Sequence, residues 1–178
     1  MSENKEESSS GQISEQAVAS ILATAGGVGY APIAPGTFGS AVGVALFAVL
    51  SALHPLLFAL TTATLLALGT WASDRAEEFF GKKDDGRIVI DEVVGQLIAL
   101  APLLFFANLA GTHLLVLLGA GFLLFRLFDI WKPGPVGWAE RRFEGGAGVM
   151  LDDVAAGVLA ALVMTPLTFF CSAQAATP

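Results

Sequence analysis

The chain has 178 residues, enough for one domain and short for two. Its hydrophobic fraction of 54%, charged fraction of 14% and mean hydropathy of +0.70 exclude an ordinary soluble domain, in which about a quarter of residues carry charge. The net charge of −7 argues against a nucleic-acid surface, and the single cysteine, Cys171, rules out an intramolecular disulfide framework or a cysteine-rich metal site.

In chain order, residues 1–12 are polar and carry three Glu against one Lys, as expected of a disordered tail. No basic stretch leads into an apolar run and cleavage site, so no removable secretory signal is expected. Ile13, Ala17, Val18, Ile21 and Leu22 then recur at helical spacing. Such a helix either lies on the membrane surface or packs against the ends of a bundle. From Ala31 to Ser73 there is no Asp, Glu, Lys or Arg, a run too long for one crossing of roughly 20 residues. It reads as a hairpin with its tip at Ser51-Ala52-Leu53-His54-Pro55, where proline disfavours helix continuation. A second charge-free run, Val93 to Phe125, has its expected tip at Asn108–His113, and a third, Val154 to Cys171, is long enough to span once. Leu- and Ala-rich composition favours helices, because an open sheet in lipid leaves its edges without partners. The expectation is an all-α polytopic membrane bundle of about five apolar segments: a membrane domain over residues 13–172 and a short tail over 173–178.

Neither expected hairpin tip contains a Lys or Arg, whereas Arg75, Lys82, Lys83, Arg87, Arg126, Lys132, Arg141 and Arg142 all fall at or between the opposite ends. By the positive-inside rule those ends face the cytoplasm, and His54 and His113 lie near the other surface as loop residues.

Four patches converge on the cytoplasmic side. Gly26–Ser40 is rich in glycine and proline; Thr37 is expected as a helix N-cap, with the Gly36 backbone open to a close-approaching anion. It lacks the Gly-Lys-Ser/Thr ending of a nucleotide-binding P-loop. Asp91 and Glu92 open the third apolar segment, where the helix dipole favours acids. Adjacent helical positions point about 100° apart, so the two need not bind one ion. Arg126 and Asp129 are spaced for a salt bridge, Trp131 suits an interfacial anchor, and Lys132 can contact phosphate. Asp152 and Asp153 place a second acidic pair before the last apolar segment. With Asp129, these pairs supply hard oxygen ligands suited to Mg²⁺. Cys171 is not followed by a phosphate-binding loop and no serine has a histidine on its side, which leaves metal-assisted chemistry.

Pro35-Gly36-Thr37-Phe38-Gly39-Ser40, Ile90-Asp91-Glu92-Val93-Val94-Gly95, Phe125-Arg126-Leu127-Phe128-Asp129 followed by Lys132-Pro133, and Gly146 through Met150 to Asp152-Asp153 occur in this order. In this set the chain resembles the phosphatidylglycerophosphatase A family. The resemblance implies a Mg²⁺-dependent enzyme of the bacterial inner membrane. Its reaction removes the terminal phosphate of phosphatidylglycerophosphate, giving phosphatidylglycerol in phospholipid biosynthesis. On that reading Asp91, Glu92, Asp129, Asp152 and Asp153 hold Mg²⁺ directly or through water, Lys132 and the Gly36-Thr37 turn orient phosphate, and water is the nucleophile. An aspartyl-phosphate route stays open. A phosphatase of another lipid monophosphate is the nearest alternative. A transporter would place ionisable groups deep in its spans, and a non-catalytic cation-binding protein leaves the clustered acids and glycine turn unexplained. Oligomeric state is not legible.

Overall fold

A computed structural model of the chain describes residues 15–106 and 111–175, whose regular structure is entirely helical. The expected tail over residues 1–12, the first half of the Asn108–His113 tip (residues 108–110) and the last three residues lie outside the described residues. The helices are α1 (residues 15–23), α2 (Pro35–Leu50), α3 (Pro55–Phe80), α4 (Ile90–Leu100), α5 (Gly111–Trp131), α6 (Pro135–Arg142) and α7 (Gly145–Ala175). Single 3₁₀ turns lie at Val28–Tyr30 and Ala101–Phe105.

Helix α1 takes the packed alternative: Ala19 and Ala23 are fully buried in one cluster with Ala72 and Ala76 of α3, leaving Val18 and Ile21 exposed. The first hairpin turns where expected, between Leu50 and Pro55. Pro55 starts α3 with a preset φ, and His54 caps it by accepting the Leu56 N–H on Nδ1 at 3.2 Å. This histidine therefore has a structural task beyond an ordinary loop. The expected Thr37 cap is corrected: Ala34 occupies the N-cap at φ 48°, Pro35 follows, and Thr37 sits in the first turn with its N–H donating to the Ala34 carbonyl. Proline at the first helical position sets the start three residues upstream of where a Thr37 cap would place it.

Among the described residues three helices, α3, α5 and α7, are long and apolar enough to cross a membrane, where about five apolar segments were expected. Helix α2 has 16 residues, about 24 Å at 1.5 Å per residue, against a hydrocarbon core of about 30 Å. The segment opening at Asp91 falls further short, because α4 has 11 residues before it tightens into the 3₁₀ turn. A half-length helix survives in a membrane protein only if other helices surround it. Accordingly Val93, Val94, Leu97, Ala99 and Leu100 are all buried, with α2, α3, α5 and α7 packed around them. Helix α4 is thus the central post of the bundle, and its N-terminus fixes the depth of the site.

Helix α7 begins eight residues before Asp153, at Gly145. Asp74 of α3 accepts the Gly146 N–H, tying the start of α7 to the polar end of α3. Asp152 and Asp153 therefore lie inside a formed helix, and simple capping does not explain them.

Candidate active site at the polar end of the bundle

The start of α2, the start of α4, the end of α5, α6 and the first turns of α7 surround a cleft of about 500 Å³. Gly36, Asp91, Glu92, Asp129, Lys132, Asp152 and Asp153 all line it. Thr37 does not join them among the lining residues, so the sequence expectation of a Gly36-Thr37 phosphate turn is met only at Gly36.

Asp91, Glu92 and Asp153 each direct one carboxylate oxygen to a common point, the three atoms lying within 4.8 Å of one another. The 100° offset between Asp91 and Glu92 is closed by their flexible side chains. Asp91 Oδ1, Glu92 Oε2 and Asp153 Oδ2 are buried with no hydrogen-bond partner. Buried carboxylate oxygens at this separation repel and lack solvation, and a set of hard oxygen donors of this kind fits a divalent cation.

Two cations sit beside the triad. Arg126 Nη1 contacts Asp129 Oδ2 at 2.6 Å and Glu92 Oε1 at 3.6 Å, and reaches the Ser40 hydroxyl at 3.5 Å. A methyl group added at Gly36 would land inside the Glu92 carboxylate and 3.2 Å from Arg126 Nη1. The missing side chain of Gly36 is therefore what seats this pair against α2. Lys132 Nζ bridges Glu140 at 2.7 Å and Asp152 at 3.0 Å. Partial burial opposes the charge on Lys132, but hydrogen bonds to Glu140 and Asp152 outweigh it and hold the ammonium above its ordinary range. Lys132 is thus a permanent cation at the cleft. Its backbone, at φ 50°, turns the chain sharply at the end of α5 and swings the side chain back toward α7.

Two lining residues were not singled out from the sequence as part of the site. By spacing alone Arg126 is a salt-bridge partner of Asp129, yet its side chain is 16% exposed and joins three elements. Glu140 gave no sequence signal, because only the fold of α6 brings it to Lys132. At the rim, the hydrogen-bonded Arg87 guanidinium holds the Asp85 carboxyl below its usual range against the effect of burial. That pair pins the loop before α4.

An apolar helical bundle with three span-length helices that gathers an acidic triad and two fixed cations at one end is a membrane protein with a site suited to a divalent cation beside an anionic group. The comparisons with known proteins specify which kind. The family described as Phosphatidylglycerophosphatase A matches residues 21–168. The Phosphatidylglycerophosphatase A of Escherichia coli strain K12 is 34% identical over 144 residues, covering 81% of this chain and 80% of the relative. That of Haemophilus influenzae is 36% identical over 151 residues, covering 84% and 88%. A Bacteroides thetaiotaomicron protein, provisionally named a phosphatidylinositol-3-phosphatase, is 41% identical over 143 residues, covering 78% and 86%. No solved structure matches the chain. The chain belongs to the phosphatidylglycerophosphatase A family.

Proposed function

We propose that the chain hydrolyses the terminal phosphomonoester of phosphatidylglycerophosphate to phosphatidylglycerol and inorganic phosphate, with Mg²⁺ held by Asp91, Glu92 and Asp153. The observation that carries this reading is the set of three partnerless buried carboxylate oxygens in a member of this family. When bound, Mg²⁺ supplies Lewis-acid neutralisation of phosphoryl charge and eases formation of a nucleophile from water. The chain's own residues do the positioning. Lys132 donates to the phosphate oxygens while Asp152 and Glu140 fix its ammonium. Arg126 places a second positive charge at the α2 side, with Asp129 holding its guanidinium. Asp129 and Asp152 thus contribute by orienting cations, and Gly36 by seating Glu92 and Arg126.

The membrane domain occupies residues 13–172 between the two short tails, with the cleft facing the cytoplasm of a bacterial inner membrane. The exclusion of Lys and Arg from the Ser51–Pro55 tip supports that orientation. Cysteines introduced at the exposed Lys83, Gly134 and Glu144 in a Cys171→Ser background should react with reagent on the cytoplasmic side, and one at His54 from outside. Labelling of the Glu144 position from outside alone would reverse the orientation.

The activity assay presents purified protein with phosphatidylglycerophosphate, phosphatidic acid, phosphatidylinositol 3-phosphate and soluble phosphomonoesters, with and without Mg²⁺. The inositol lipid is included because of the name given to the Bacteroides relative. Preferred turnover of phosphatidylglycerophosphate, abolished by chelation and restored by Mg²⁺, is expected. Cys171 packs among apolar residues of the α4–α5 cluster, and lies 18 residues along α7 from Asp153, about 27 Å at helical rise. Cys171→Ser should therefore retain full activity. Activity that survived exhaustive chelation and disappeared in Cys171→Ser would refute the metal site.

A further inference from the structure

Helix α6 joins the end of α5 to the start of α7, both long enough to cross a membrane. Its eight residues extend only about 12 Å, so it stays at the membrane face where its neighbours emerge. Val136 and Ala139 are buried and fasten it to the bundle, and Glu140 lines the cleft. The opposite face presents Trp138, Arg141 and Arg142, all exposed and spaced i, i+3 and i+4. The Trp138 ring meets Phe143 edge-on at 5.9 Å, and the Arg142 guanidinium lies 5.8 Å from the same ring. Gly137 leaves room for Arg141 to fold back along the helix, since a methyl group there would lie 3.2 Å from Arg141 Nη1.

These two arginines differ from every other cation among the described residues. Arg75, Lys82, Lys83, Arg87, Arg126 and Lys132 each have a carboxylate within 4.0 Å, whereas Arg141 and Arg142 have none. Carboxylates are not scarce in a chain of net charge −7. The acids flanking the pair in sequence, Glu140 and Glu144, are engaged by Lys132 and Lys83 instead. Two adjacent guanidiniums left without an internal counter-charge, beside an exposed tryptophan at a membrane face, are complementary to an external anion at headgroup depth. Guanidinium binds phosphodiester oxygens in a bidentate fork, and the indole suits the interface below it.

We propose that Trp138, Arg141 and Arg142 form a docking site for the headgroup of an anionic phospholipid of the surrounding bilayer, at the rim of the catalytic cleft. The site is independent of the phosphatase chemistry. It enriches anionic lipid next to Glu140, one helical turn or less from the cleft lining. Juxtamembrane basic residues attract anionic headgroups on the order of fivefold per charge, so the pair gives a preference well above a uniform bilayer.

The test uses the full chain with Trp71→Phe and Trp131→Phe, which leaves Trp138 as the sole tryptophan, reconstituted in bilayers. Fluorescence quenching is compared between phosphatidylserine and phosphatidylcholine carrying brominated acyl chains, at equal mole fraction. Phosphatidylserine is anionic but is neither the proposed substrate nor its product, so cleft binding does not contribute. The brominated anionic lipid should quench Trp138 several-fold more strongly, with the preference weakening at high salt. Arg141→Gln with Arg142→Gln should equalise the two lipids while leaving chelation-sensitive turnover in place, and Arg141→Lys with Arg142→Lys should keep part of the preference. Equal quenching by both lipids with the arginines present, or a preference that persists in the glutamine variant, would overturn the proposal.

Discussion

Asp91→Asn and Asp153→Asn should each lower turnover by at least about a hundredfold, a loss typical of deleting one electrostatic group that acts on the reacting centre. In the absence of Mg²⁺ the same variants should be more stable to unfolding than the parent. The two effects have one cause. With Asp91, Glu92 and Asp153 oxygens within 4.8 Å of one another, each charged pair repels by roughly 3 kcal/mol at an effective dielectric near 20. Arg126 offsets the charge on Glu92 alone. Asparagine preserves the shape and removes one source of repulsion, so the metal-free bundle relaxes. A cation held by the triad would stabilise the folded state by an amount that grows with the logarithm of its concentration over its Kd, and for Mg²⁺ that increment should be large in the parent and nearly absent in the variants. Thermal unfolding with and without Mg²⁺ reads this separately from catalysis. Near-normal turnover together with an unchanged Mg²⁺ shift in both variants would remove the triad as the metal site.

The polar end of this site was legible in the sequence because membrane burial makes charge conspicuous. Asp91, Glu92, Asp129, Asp152 and Asp153 stand at the borders of runs with no ionisable group, and the hairpin turn at Ser51–Pro55 followed from the proline. What the sequence did not reveal depends on distances between elements remote along the chain. Whether Arg126 is a surface partner of Asp129 or a buried link between α2, α4 and α5 depends on Gly36 and Ser40, 90 and 86 positions away. Hydropathy alone does not tell a full-length span from a shorter apolar helix packed inside the bundle. Helix α4 is as apolar as a span, but its apolar residues face other helices and not lipid, and composition does not distinguish these two surroundings. The Thr37 cap failed locally, because a good capping side chain is overridden when proline starts the helix three residues before the start that cap would set.

Gly157→Ala should disable the enzyme without touching any charged residue. Gly157 lies four residues after Asp153 on α7, and Gly95 lies four after Asp91 on α4, so the two helices cross one turn below the triad. A methyl group at Gly157 would collide with the Gly95 carbonyl oxygen and come within 3.1 Å of Ile98 Cβ. From the other side, a methyl at Gly95 would lie 2.8 Å from the Asp153 carbonyl oxygen and 2.5 Å from the Phe125 ring. Backbone atoms cannot rotate out of the way as a side chain can, so α4 and α7 must separate. Alanine improves helix propensity by about 1 kcal/mol over glycine, but overpacking of a close crossing costs about 1–3 kcal/mol, so a net destabilisation is expected. The functional loss should be larger than the loss of stability. Moving Asp153 about 1 Å from Asp91 and Glu92 is enough to cost on the order of a hundredfold in rate. Gly119→Ala on α5 is the control, since nothing lies within 4 Å of its added methyl; it should gain the propensity term and keep its activity. Full activity in Gly157→Ala, at a stability equal to that of Gly119→Ala, would show that the α4–α7 crossing does not set the geometry of the acidic triad.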